Sequence, residues 1–117
     1  MAALVNDRTN AIVAATVEMA TTRRQRRTGL LGRASLDPAS AMLITPCLSV
    51  HTVGMRFPID VVFIDRAGRA VHLVHALQPW RMAASLRGRA VIELAAGRLA
   101  ATGVQLGDRL RLVADQQ

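Results

Sequence analysis

The 117-residue chain contains no lysine and no tyrosine, and Cys47 is its only cysteine. A lone cysteine excludes an internal disulfide framework and any multi-cysteine zinc or iron–sulfur site. Aromatic residues are confined to Phe57, Phe63 and Trp80, too few for the stacking platform that single-stranded nucleic acid uses. No apolar run reaches the roughly 18 residues of a membrane-spanning helix. The best candidate for a signal-peptide core, residues 11–17 after Arg8, is interrupted by Thr16 and followed at once by Glu18. No signal peptide is therefore expected, and the cytoplasm is the default compartment. Phosphate-loop, nucleophile-elbow and H-E-x-x-H patterns are all missing. The histidines are His51, His72 and His75. The last two are three apart, which in a strand sends them to opposite faces. No metal and no cofactor are expected.

What is present suffices for a folded domain. The hydrophobic fraction is 51% and the charged fraction 20%, which excludes wholesale disorder, and the length suits a single domain over residues 1–117. Fifteen basic residues, all arginine, outweigh eight acidic ones for a net charge of +7. The preference for arginine, beside abundant alanine, fits a GC-rich coding bias. The excess over acids is not explained that way and predicts attraction to polyanions.

The pattern along the chain is mainly β. Residues 2–5 and 11–19 read as strands. Thr22 and Gln25 fit a capping box, which opens a helix over 22–33. Gly29 and Gly32 weaken that helix by about 1 kcal/mol each relative to alanine. Residues 41–53 are β-like with a break at Pro46, and 59–64 form an apolar strand. Asp65-Arg66-Ala67-Gly68 is a hairpin turn, with Gly68 free to take positive φ, leading into a strand over 69–77. Residues 90–94 are a further strand, and 95–101 a short helix stopped by Gly103. Over 108–113 Leu110 and Leu112 are expected to face inward, with Arg109 and Arg111 outward. Many short strands with one or two short helices predict a mainly β, β-rich α+β domain: a small antiparallel sandwich or partly open barrel with a short helix in its N-terminal half.

Polar residues set in apolar strands carry the functional information, because a buried polar group needs a partner or a role. Asp60 lies between Ile59 and Val61, and Glu93 between Ile92 and Leu94; Arg56 precedes Phe57 and Pro58. A plainer reading makes these an edge position or an internal arginine–carboxylate pair. Cys47 and His51 suggest a thiol–imidazole dyad, but four extended residues span about 13 Å, so Cys47 is expected to be a buried small hydrophobe. The cluster Arg23, Arg24, Arg26 and Arg27 opposes the helix dipole at its start. An anion would relieve that penalty.

The ordered run Cys47-Leu-Ser-Val-His-Thr-Val-Gly-Met-Arg-Phe-Pro-Ile-Asp60-Val-Val-Phe-Ile-Asp65 resembles the bacterial and archaeal domain-of-unknown-function family 192. So do Arg26-Arg-Thr-Gly-Leu-Leu-Gly-Arg33, Met42-Leu43, Pro79-Trp80-Arg81, the stretch 90–97 and Gly107-Asp108. The resemblance covers about residues 12–113. It implies a compact β-rich domain with one N-terminal helix, and it implies no activity. Many family members look exported or membrane-attached, whereas this chain shows no such segment.

Together these readings predict a non-enzymatic accessory or binding module for a small anionic or peptide ligand. The expected surface gathers Arg26, Arg33, His51, Arg56, Asp60, Trp80, Arg81 and Glu93. Arginine supplies fork-shaped recognition of carboxylate or phosphate, and tryptophan a flat wall with one donor. Two alternatives stand beside it. One is a hydrolase with His51 as base, oriented by Asp60 or Glu93, and water as attacker. The other is weak, non-specific nucleic-acid binding through the arginine cluster.

Overall fold

The computed structural model describes residues 2–114. The elements are β1 (Ala2–Asn6), β2 (Ile12–Ala20), α1 (Arg23–Thr28), β3 (Ser40–Ile44), β4 (Ser49–His51), β5 (Ile59–Ile64), β6 (Ala70–Leu77), β7 (Met82–Ala84), β8 (Ala90–Ala95), α2 (Arg98–Thr102) and β9 (Leu110–Ala114). Seven strands form one sheet in the order β6-β5-β8-β3-β2-β1-β9, and β4 and β7 form a separate two-stranded sheet. The large sheet curls until its edges meet at one end. There the Ala70 amide donates to the Asp108 carbonyl at 2.8 Å and the Leu110 amide to the Gly68 carbonyl at 2.9 Å. The result is a partly closed barrel, the second of the two expected architectures.

One pairing departs from an all-antiparallel reading. β2 and β3 run parallel, with Thr16 opposite Ser40 and Ala20 opposite Ile44. A parallel pair needs a long crossover, and the segment holding α1 supplies it. The capping box forms as expected: the Gln25 amide donates to Thr22 Oγ1, and the Thr22 amide to Gln25 Oε1, both at 3.1 Å. The helix nevertheless stops at Thr28 rather than Arg33. It buries no residue of its own, so packing gives no reason to extend it. Gly29, at φ +46°, closes it with its amide on the Gln25 carbonyl. Leu30, 2% exposed, is the first apolar anchor beyond it.

The central strands β5, β8 and β3 are buried on both faces. On one face Leu43, Val62, Ile92 and Leu94 pack with Leu4, Val13, Leu99 and Leu110. On the other Ile44, Val61, Phe63 and Val91 pack with Leu30, Val50 and Met55. A strand covered twice reads as a continuous apolar run rather than an alternating one, and Asp60 and Glu93 interrupt such runs. Two local expectations differ. β7 carries no recognisable strand signal, because Met82, Ala83 and Ala84 follow a turn and are too few to show periodicity. Leu112 is 40% exposed, since the outermost strand β9 leaves its far half uncovered.

Candidate ligand-binding groove

Asp60 and Glu93 lie on paired strands, where Asp60 faces Leu94 and Val61 faces Glu93. Side chains alternate along a strand, so the two carboxylates point to opposite faces of the sheet. Asp60 is fully buried. Its Oδ1 accepts the Ala76 amide at 2.8 Å, and its Oδ2 accepts the Gly97 and Leu99 amides at 3.0 and 2.9 Å. It ties a bulge in β6 to the start of α2, a structural duty that removes it from the expected ligand surface.

Glu93 is its opposite. It is 4% exposed, and its carboxyl has no hydrogen-bond partner among the described residues. Burial alone pushes its pKa from 4.5 up to about 7, because an uncompensated buried charge is disfavoured. The carboxyl lies in a cavity of about 290 Å³. Ile44, Val50 and Met55 give this cavity apolar walls; Arg26, Arg27 and the segment through Leu31 close one side, and Pro46, Cys47, Ser49 and His51 the other. A methyl group added at Gly29 would sit 3.8 Å from Glu93 Oε1, so the chain leaving α1 passes directly beside the carboxyl. Arg26 is half-buried and donates to the Thr21 carbonyl, which steadies its guanidinium at the rim.

Cys47 and His51 line the same cavity, but they form no dyad. The Cys47 thiol donates to the Ser49 carbonyl at 3.0 Å. Burial is the main influence on its pKa, which is raised, and the nearby Glu93 adds to it. His51 is exposed.

Of the eight expected surface residues, the cavity brings together Arg26, His51 and Glu93. Arg33 is instead engaged with Glu18, Nη2 to Oε2 at 2.7 Å, and it lines a separate depression with Met19 and Arg24. Arg56, Trp80 and Arg81 are exposed outside the cavity. The turn bearing the last two is pinned by Thr52, which is fully buried. Its hydroxyl donates to the Gln78 carbonyl at 2.6 Å and accepts the Arg81 amide at 2.9 Å. Sequence reasoning passed over Thr52, whose neighbours gave no hint of burial. Ser49 and Met55 also line the cavity without a sequence signal, Arg27 enters it from the arginine cluster, and Cys47 and His51 share it because the chain bends around Pro46 and Leu48.

Among the described residues, no group of three or more His, Cys, Asp or Glu is placed to hold a metal ion. No helix is long and apolar enough to cross a membrane.

Fold and groove together define a mainly β, half-barrel domain with a small, largely apolar cleft under a basic helix. The chain belongs to the DUF192 family, described as an uncharacterized ACR, whose pattern it matches over residues 4–112. No curated protein matches it. Two solved structures are similar. A protein of unknown function from Novosphingobium aromaticivorans superposes with a TM-score of 0.81 at 19% identity, covering 94% of this chain and 82% of its own. A Sinorhizobium meliloti protein described as a "putative transcription regulator" gives 0.79 at 26% identity, covering 95% of this chain and 91% of its own.

Proposed function

We propose that the domain is a binding module for a small ligand carrying an anionic group on a short apolar body. The unpartnered Glu93 carboxyl in the cavity carries this reading. Near neutral pH a large share of it holds a proton, and a protonated carboxyl donates one hydrogen bond to a ligand oxygen. Arg26 and Arg27 supply the opposite charge at the rim, and Val50, Ile44 and Met55 meet the apolar body. Binding rather than hydrolysis is favoured because Asp60 is held on the other face and, among the described residues, Glu93 makes no hydrogen bond that would orient His51 as a base. The proposed compartment is the cytoplasm.

N-acetyl-leucine, titrated into ¹⁵N-labelled protein, tests the reading. Amide shifts should concentrate on Gly29–Leu31 and Ser49–His51. Above about pH 7 the affinity should fall about tenfold per pH unit in the native chain, and it should lose that dependence in Glu93→Gln. Shifts elsewhere, or none at millimolar ligand, would contradict it.

A second reading rests on α1, where Arg23, Arg24 and Arg27 are exposed and form no ion pair among the described residues. The Sinorhizobium meliloti relative is described as a "putative transcription regulator", which directs attention to DNA. We propose only weak, non-specific binding, with a log–log salt slope of about −3 to −4 on duplex DNA. Changing Arg23, Arg24, Arg26 and Arg27 to Gln should abolish it. Sequence-selective binding that survives physiological salt would promote this reading over the first.

A further inference from the structure

We infer that the groove takes its ligand as a short extended peptide, which adds a third strand along β4 and brings a carboxylate to Arg26 and Arg27. The inference rests on the binding-module reading and specifies the chemistry of its ligand.

The backbone of β4 carries the argument. β4 pairs with β7 alone, with Ser49 opposite Ala84, Val50 opposite Ala83 and His51 opposite Met82. The Ser85 amide donates to the Leu48 carbonyl at 2.9 Å, and the Thr52 amide to the Arg81 carbonyl at 2.8 Å. In an antiparallel ladder alternate residues turn both backbone groups toward one neighbour. Leu48, Val50 and Thr52 therefore face β7, while Ser49 and His51 turn their amides and carbonyls the other way. On that side no strand follows among the described residues, and the Ser49 carbonyl receives the Cys47 thiol.

The free edge and the cavity coincide, because Ser49, Val50 and His51 line it opposite Arg26–Leu31. An open strand edge facing a helix across an apolar floor is the geometry of peptide recognition by strand addition. Backbone hydrogen bonds supply affinity there, and alternate side chains supply specificity. An added strand would lower every second side chain toward Val50, Met55 and Glu93. At about 290 Å³ the cavity falls just below the usual range of ligand pockets, roughly 300–1,000 Å³, which suits a few residues only. Charge selects the occupant: Arg26 and Arg27 line the cavity, and the acidic group within, Glu93, is about half protonated near pH 7. A carboxylate is favoured, and both a peptide C-terminus and an acidic side chain offer one.

Three probes separate these sources: acetyl-Gly-Ala-Leu as the free acid, the same peptide as its amide, and acetyl-Glu-Ala-Leu amide. Each is also made with the leucine amide N-methylated. We expect one of the two carboxylate peptides to bind and the neutral amide to bind at least about tenfold more weakly. N-methylation should cost about tenfold or more, since it removes a ladder donor. On binding, the Ser49 and His51 amides should become protected from hydrogen exchange. Ser49→Pro removes a donor from the free edge only, so it should unfold like the native chain and lose peptide binding. Equal binding of the N-methylated peptides would overturn strand addition while leaving the binding module standing. Binding of N-acetyl-leucine without binding of any peptide would do the same. Failure of both probe classes would sink the two together.

Discussion

Asp60 and Glu93 stand on adjacent strands, each a single acid within an apolar run, and the fold treats them in opposite ways. The face that Asp60 enters is met by the β6 bulge and the start of α2, and three amides converge on its carboxylate. The face that Glu93 enters is met by the end of α1 and the edge of β4, which bring no donor to it and leave a cavity instead. The lesson is that an acid in a buried strand is neither structural nor functional by itself. The loops that cover its face decide, by the donors they bring.

The first way to break this contrast is to remove the carboxylate of Asp60. Asp60→Ala strands three backbone amides, two of them on the ordered start of α2. At about 1–3 kcal/mol per unsatisfied buried group, the expected loss is about 3 kcal/mol or more, read from the urea midpoint. Glu93→Gln, tested beside it at pH 7, should leave stability equal or higher.

The pH dependence sharpens the same contrast. Glu93 titrates near its ordinary 4.5 in the unfolded chain and at about 7 in the folded one. Between these values the folded state holds more protons, so stability falls as pH rises, by about 3 kcal/mol in all. Above pH 7 and below 4.5 this contribution is flat. Asp108 works in the opposite sense. The Arg8 hydrogen bond, aided by the Gln105 amide and Asn6, lowers its pKa from 3.8 to about 2. Its stabilisation is present above 3.8 and is lost as pH falls toward 2. Denaturant melts across pH should therefore peak near pH 4–5. Glu93→Gln should flatten the neutral limb, and Arg8→Gln should shrink the acid limb.

Smaller effects probe what borders the cavity. Thr22→Ala removes the cap of α1 and should cost about 1 kcal/mol. It should also weaken N-acetyl-leucine binding, because α1 leads into the turn beside Glu93. Arg33→Gln breaks a half-exposed pair with Glu18, with side chains 37% and 41% exposed. Such pairs contribute less than about 1 kcal/mol, so melting and ligand binding should both be nearly unchanged. A large binding defect there would move the site to the other side of α1.

Much of the fold was legible in the sequence because its signals are local. Thr22 and Gln25 capped α1 as their spacing indicates, Gly68 turned the hairpin, and Gly103 ended α2. The helix end is not legible because Gly29 competes with Leu30 and Leu31, and only the packing of Leu30 shows that the apolar pair lies beyond the helix. The parallel β2–β3 pairing is a long-range choice that no short pattern records. Glu93 and Asp60 were both singled out by their apolar neighbours, but which one is satisfied depends on Ala76, Gly97 and Leu99, distant in sequence. His51 and Arg26, named with Glu93 from the sequence, line the same cavity. Arg56, Trp80 and Arg81 are motif-like residues that the fold leaves exposed outside it, Arg56 on the bend before β5 and the other two on the turn after β6.

The most direct test of the account is the titration of the Glu93 side chain itself, followed by carbon-13 NMR of its carboxyl and assigned by Glu93→Gln. The expected midpoint is about 7, moving upward when N-acetyl-leucine is added, because an anion beside the carboxyl favours its protonated form. A midpoint at the ordinary 4.5, unmoved by the ligand, would show a solvated or partnered carboxylate and contradict the claim that Glu93 is the groove's unpaired recognition group.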